Sequence, residues 1–165
     1  MNIQIVTAVG EGSTSLASFD CALQNAGVSN YNLIPLSSVI PPNSTIEVVE
    51  KYVTPEEDFG KRLYVVKAEQ RSEKVGECIG AGIGWYQLED GRGFFVEHEA
   101  KGLTREEVNE NLSYLIENTL RDMCTNRNIK FQPNDMFMLR DSKISEKQHE
   151  CQLVLAVYQH QEWDK

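Results

Sequence analysis

Hydrophobic and polar positions alternate with two different periods along this chain, and each change of period marks an element. Asn2 to Val9 is apolar and β-branched at strand spacing and predicts a strand. Gly10-Glu11-Gly12-Ser13-Thr14 reads as a loop ending in an N-cap candidate. Ser15 to Ala26 then predicts a helix with Leu16, Phe19, Leu23 and Ala26 on one face, closed by Gly27 as C-cap. Asn30 to Leu36 reads as a second strand, and Ser37 to Ser44, with its paired serines and prolines, as an irregular connection. Arg62 to Gln70 and Lys74 to Leu88 resemble an antiparallel pair. The latter leads through the Asp90-Gly91 turn signal into a strand over Gly93 to Glu99.

The longest helix starts at a capping box, Thr104 with Glu107 three residues on. Val108, Leu112, Leu115, Ile116, Leu120 and Met123 follow as an apolar stripe. Two strands, Asp135 to Ile144 and Glu150 to His160, end the pattern. Two helices among many strands predict an α+β fold, a layered αββα sandwich with mainly antiparallel sheets.

Composition narrows the function. The 165 residues suit a single domain over 1–165, with 16 Lys and Arg against 25 Asp and Glu for a formal net charge of −9. Such a surface repels phosphate backbones and anionic headgroups, so neither nucleic acid nor membrane is an expected partner, whereas a cationic substrate is permitted. No apolar run reaches the roughly 20 residues of a transmembrane helix, and the first residues lack a signal-peptide pattern. Cys21, Cys78, Cys124 and Cys151 are isolated, without CxxC pairs, as suits a reducing cytoplasm. With His98, His149 and His160 spread over three segments, no metal site is expected.

The candidate chemistry is sparse when motifs are taken singly. Gly80-Ala81-Gly82-Ile83-Gly84 has the glycines of a phosphate loop but neither its Lys-Ser/Thr nor a following helix, so close packing in a strand is the better reading. Glu97 and Glu99 share one strand face, where like charge raises a pKa; taken alone they fit an exposed strand end. Asp20 alone fits a solvated helical position, and Asn32 stands out in no way. Ser37-Ser38 gains meaning from its flanks. An apolar run delivers the serines and Pro41-Pro42 stiffens the exit, a geometry suited to holding a strained peptide bond beside a hydroxyl.

The stretch from Asn32 through Ser37-Ser38-Val39-Ile40 to Pro41-Pro42 resembles the self-cleavage site of the pyruvoyl-dependent arginine decarboxylases. Gly10-Glu11-Gly12, Phe19-Asp20, Ala22-Leu23 and Asn25-Ala26-Gly27 resemble the family in the same order and spacing, and Val96-Glu97-His98-Glu99 resembles the strand with its catalytic glutamate. Similarity is close over residues 5–42 and thinner beyond. Pro35 replaces a basic residue, and Ala100 a glycine, of some relatives.

The resemblance implies self-cleavage between Ser37 and Ser38 into a β chain, 1–37, and an α chain, 38–165, capped by a pyruvoyl group made from Ser38. It implies that Asn32 donates a hydrogen bond during the rearrangement. Glu97 would be the general acid in converting arginine to agmatine and carbon dioxide through a Schiff base to the pyruvoyl ketone, and Asp20 would face the guanidinium. It further implies a homotrimer of αβ protomers with sites at subunit interfaces, Asp20 and Glu97 coming from different chains, with pairing of trimers left open. Two alternatives remain: a non-cleaving, non-catalytic trimer, and a pyruvoyl decarboxylase for another amino acid.

Overall fold

The computed structural model describes residues 1–163; Asp164 and Lys165, which close the expected 1–165 domain and 38–165 chain, lie outside the described residues. In chain order the elements are β1 (Asn2–Glu11), α1 (Ser15–Ala26), β2 (Asn32–Pro35), β3 (Val39–Ile40), β4 (Thr45–Val48) and β5 (Arg62–Arg71). They continue with β6 (Cys78–Gln87), β7 (Gly93–Gly102), α2 (Arg105–Asn126), β8 (Met136–Ile144) and β9 (Glu150–Gln161).

Five strands form one sheet in the order β2-β5-β9-β1-β4, and four form the other in the order β3-β7-β6-β8. The smaller sheet is antiparallel throughout. The larger is antiparallel at its centre and parallel at its two outer pairings, β1 with β4 and β2 with β5. Strand alternation sorts the layers. Val154, Ala156 and Tyr158 of β9 face the smaller sheet and pack with Ile5, Ile83 and Phe95 in a central core. Leu153, Leu155 and Val157 face the opposite way, onto Ala22, Leu23 and Ala26 of α1. On the far side of the smaller sheet α2 buries Val108, Leu112, Ile116 and Leu120. Each such fully buried Leu or Ile contributes about 1.5–3 kcal/mol relative to exposure. The layers are therefore α1, the five-stranded sheet, the four-stranded sheet and α2, the predicted αββα order.

Both helices begin where their caps predict. Thr14 Oγ1 accepts from Ala17 N at 3.1 Å, and Thr104 Oγ1 accepts from Glu107 N at 3.2 Å, while Glu107 reaches back to Leu103 N at 3.0 Å. Gly27 closes α1 at φ 88°. The glycines of β6 are packing sites. A Cβ on Gly80 would lie 2.4 Å from Val108 Cγ1, and one on Gly84 would lie 2.1 Å from Ile116 Cγ2. α2 thus approaches the sheet through the gaps these glycines leave, which accounts for the motif without a phosphate.

Several sequence expectations need correction. Arg62–Gln70 and Lys74–Leu88 do not pair: β5 lies in the larger sheet and β6 in the smaller, and they meet through side chains across the core. Residues 72–77 carry the chain between the layers, so β6 starts at Cys78. The C-terminal strands β8 and β9 are divided between sheets in the same way. Leu16 does not join the buried face of α1; it is 68% exposed, and Ser18 is buried in its stead. The second strand is shorter than expected, and the segment read as irregular, Ser37 to Ser44, contains β3 and leads directly into β4. Pro35 ends the edge strand β2, where a missing N–H costs no central ladder bond.

Candidate active site

The short strand β3 and the long strand β7 bring Ser38 and Glu97 together. β3 pairs with β7 only at Val39–Phe94 and Ile40–Gly93, and one further ladder bond runs from Phe95 N to Ser38 O at 2.7 Å. Beyond that bond β7 keeps β6 on one side and has no strand on the other among the described residues. Glu97 lies just past this point. The Ser38 hydroxyl donates to its carboxylate, at 3.0 Å to Oε2 and 3.3 Å to Oε1.

Ser38 is 6% exposed, whereas Ser37 is exposed, so the Ser37–Ser38 peptide bond runs from solvent into the fold. Ser38 also has φ 67°, a left-handed conformation that costs a residue with a Cβ roughly 1–2 kcal/mol. That strain sits on a hydroxyl already bonded to a base. Burial raises the Glu97 carboxyl above the ordinary glutamate pKa, the Ser38 hydrogen bond opposes this, and the charge of Glu99 adds to the rise. The like-charge effect expected from the strand face is present but is not the leading cause. Glu97 remains exposed in the single chain, so burial by further protein would enlarge the shift.

These residues line a cavity of about 320 Å³ with His98, Thr119 and Met123. His98 Nε2 and Thr119 Oγ1 are 2.8 Å apart, and burial holds the imidazole below its ordinary pKa, against the pull of Glu99. A larger depression of about 580 Å³ at the β6–β7 turn, lined by Tyr86, Asp90 and Arg92 among others, shares no residue with this one. The smaller cavity is the candidate site because the strained serine and the perturbed carboxylate are there.

Asn32 and Asp20 are not brought to this cavity within one chain. Asn32 begins β2, and its Nδ2 donates to Gly60 O at 2.8 Å, leaving one amide hydrogen free of that bond. Asp20 is exposed on α1, against the opposite face of the larger sheet. It lines a separate depression of about 450 Å³ with Leu16, Phe19 and Leu23, and forms no ion pair among the described residues. Thr119, Phe95 N and Tyr158, whose hydroxyl donates to Val39 O at 3.1 Å, escaped the sequence reading, and His98 and Met123 entered it without a role in the site. No local motif marks them; they meet Ser38 only through sheet register and helix docking. No group of three or more His, Cys, Asp or Glu is placed to hold a metal among the described residues. No helix there is long and apolar enough to cross a membrane.

Comparison with known proteins adds a wider match than the motifs alone. The sequence model of the family described as pyruvoyl-dependent arginine decarboxylase matches residues 2–163. Proteins named pyruvoyl-dependent arginine decarboxylase are similar to this chain in Picrophilus torridus, Pyrococcus abyssi and Thermococcus kodakarensis. The first is 33% identical over 105 residues, covering 61% of this chain and 56% of that protein. The second is 34% identical over 114 residues, covering 68% and 70%, and the third 34% identical over 117 residues, covering 71% and 72%. Against the Picrophilus protein, as against one from Thermoplasma volcanium at 53%, the chain thus spans little more than half of the relative's length.

Proposed function

Because the chain belongs to the pyruvoyl-dependent arginine decarboxylase family, we propose that it cleaves itself at Ser37–Ser38 and then decarboxylates arginine to agmatine. The observation that carries this reading is the Ser38 hydroxyl, held on a strained, buried residue with its proton directed at Glu97.

These groups support a route to self-cleavage. Glu97 takes the hydroxyl proton as Ser38 Oγ attacks the Ser37 carbonyl carbon. The C–N bond breaks, the amine takes up a proton, and Ser37 is left esterified to Ser38 Oγ. Loss of the Ser38 Cα proton and rupture of the Cβ–O bond release Ser37 as a carboxylate and leave dehydroalanine. Its imine tautomer adds water and loses ammonia. The net change is one water taken up and one ammonia released, giving chains 1–37 and 38–165. The free amide hydrogen of Asn32 suits a donor to the oxyanion of such an acyl shift, from a neighbouring protomer.

The pyruvoyl group so formed at residue 38 supplies an electrophilic ketone and an electron sink for loss of carbon dioxide. The chain's own residues do the rest. Glu97, its pKa raised first by burial, is suited to return a proton to the product carbon. Asp20 offers a carboxylate to the planar guanidinium, with exposed Leu16 and half-buried Phe19 as an apolar rim for the methylenes.

A homotrimer unites the parts. Asp20 and the Ser38–Glu97 cavity are separate in one chain, β7 has a free edge beside Glu97, and α1 presents exposed Leu16 next to Asp20. Docking α1 of one protomer over the cavity of the next would desolvate Glu97 and complete the substrate site. The four free cysteines suit a cytoplasmic setting.

Borohydride reduction with labelled arginine tests the reading. Label should attach to the 38–165 fragment, and carbon dioxide should be released from arginine in preference to lysine, ornithine, histidine or aspartate. Release from one of those in place of arginine would overturn the substrate. Failure of any amino acid to label the fragment would overturn the enzyme.

A further inference from the structure

The bulge in strand β9 places a hydroxyl on the residue that follows the processing serine. β9 pairs with β5 through Tyr64–Gln159 and then Val65–Val157, so Tyr158 between them has no partner in the ladder. Bulges of this kind bend a strand and re-aim a side chain, and they concentrate beside active sites. Here the side chain is aimed across the core. Tyr158 is 8% exposed and belongs to the larger sheet, yet its hydroxyl donates to Val39 O, in the smaller sheet, at 3.1 Å. Its ring meets Phe95 edge-on, with centroids 6.0 Å apart.

The direction of the Val39 carbonyl explains why such a bond is needed. Phe95 N donates to Ser38 O, so Val39 and Phe94 face each other as a non-hydrogen-bonded pair, and the backbone polar groups of Val39 point off the edge of the sheet. β3 is only two residues long, and the ladder alone gives it little purchase on β7. Tyr158 supplies a second anchor from the opposite layer. A phenylalanine would fill the same volume; the hydroxyl is what reaches Val39.

We propose that Tyr158 is a positioning residue for the chemistry at residue 38. With Phe95 N–H on the Ser38 carbonyl and Tyr158 O–H on the Val39 carbonyl, the two peptide units that follow Ser38 are each held. The left-handed turn at Ser38 and the contact of its Oγ with Glu97 are thereby held. Burial and the charge of Glu97 both raise the phenol's pKa, so the hydroxyl stays a donor throughout the working pH range. The consequence for self-cleavage rests on the function proposed above; the clamp itself does not.

Tyr158→Phe tests both. In a Ser38→Ala chain, which stays uncleaved, hydrogen exchange reads the clamp directly. The Phe95 amide should exchange about tenfold faster with Phe at 158, as loss of one ordinary hydrogen bond allows. In the chain with Ser38 intact, appearance of the 38–165 fragment should slow by about tenfold or more, and kcat per cleaved site should fall while KM for arginine stays within about twofold. Incorporation of 3-fluorotyrosine at 158, which restores a hydroxyl on the same ring, should recover both rates. Unchanged Phe95 exchange would overturn the clamp. Altered exchange with cleavage at the parent rate would overturn the positioning role. A parent chain that never cleaves would refute the proposed function, and the exchange measurement would still decide the clamp.

Discussion

Replacing Glu97 by Gln separates the acid–base work of the cavity from its shape. Gln is nearly isosteric and still offers an oxygen to the Ser38 hydroxyl, which lies 3.0 and 3.3 Å from the two carboxylate oxygens. The titrating proton and the carboxylate's charge are lost. A positioned general acid contributes roughly 10²–10⁴ in rate, or about 2.7–5.5 kcal/mol of barrier. The kcat for arginine decarboxylation should fall by that range, with KM changed far less. Rates are taken per mole of 38–165 fragment, because the same variant should also slow self-cleavage.

The pH dependence carries a sign. Burial first, and Glu99 second, raise the Glu97 pKa, so the donor form persists to higher pH than in an ordinary glutamate. The kcat should decline as pH rises through that pKa, and this limb should be absent from Glu97→Gln. Stability runs the same way with pH. The folded chain binds this proton more tightly than the unfolded chain, so the group's contribution is full below the unfolded pKa of about 4.3 and is lost as pH rises through the folded value. Gln removes the partly desolvated charge, and the melting temperature near neutral pH should hold or rise. Solvent still reaches Glu97 in the single chain, which keeps that gain small. Steady-state carbon dioxide release across pH, with a melting curve on each protein, measures both effects. A kcat within about threefold of the parent with an unchanged pH profile would refute the assignment of the proton to Glu97.

Asp20→Asn should raise KM for arginine about 10- to 150-fold, the loss of a charge-assisted hydrogen bond worth about 1.5–3 kcal/mol, while self-cleavage proceeds as in the parent. Gly84→Ala should destabilise the fold by about 1–3 kcal/mol in denaturant titration, because the new Cβ meets Ile116 Cγ2 at 2.1 Å with the helix backbone behind it. Lys143→Ala should cost about 1–3 kcal/mol by the same measurement, since Glu150 is 1% exposed and loses the 2.9 Å bond from Lys143 to its Oε1, keeping the one from Glu146 N to its Oε2.

The parts of the fold written in local chemistry were legible in the sequence. Thr14, Gly27 and Thr104 each mark a helix end because a cap needs only a few neighbouring residues. The glycines of β6 were read correctly as packing sites because no helix follows them to make a phosphate loop. Sheet membership was not legible. β5 and β6 follow each other with strand periodicity and a short connection, and the same pattern serves a hairpin in one sheet or a crossing between two. Leu16 misled for a related reason: an apolar residue at helical spacing implies burial, and within one chain nothing covers it.

The site divides along the same line. Ser38 lies in a segment that is distinctive in sequence, whereas Glu97 alone resembles an exposed strand end, and the fold places the two in hydrogen-bond contact across 59 positions. Tyr158 is invisible to pattern reading, because its part depends on a skipped pairing in β9 and on the direction of a carbonyl in another sheet. Asn32 and Asp20 lie apart from the cavity in one chain, and the proposed assembly of protomers is what would unite them with it.

The intact mass of the purified protein tests the central claim most directly. Self-cleavage predicts two chains, 1–37 with a free carboxylate and 38–165 with a blocked, ketone-bearing N-terminus. Their combined mass should exceed that of the precursor by one water less one ammonia, and Ser38→Ala should give a single chain. One unbroken mass that persists on long incubation, or a 38–165 fragment that begins with an ordinary serine amine, would contradict it.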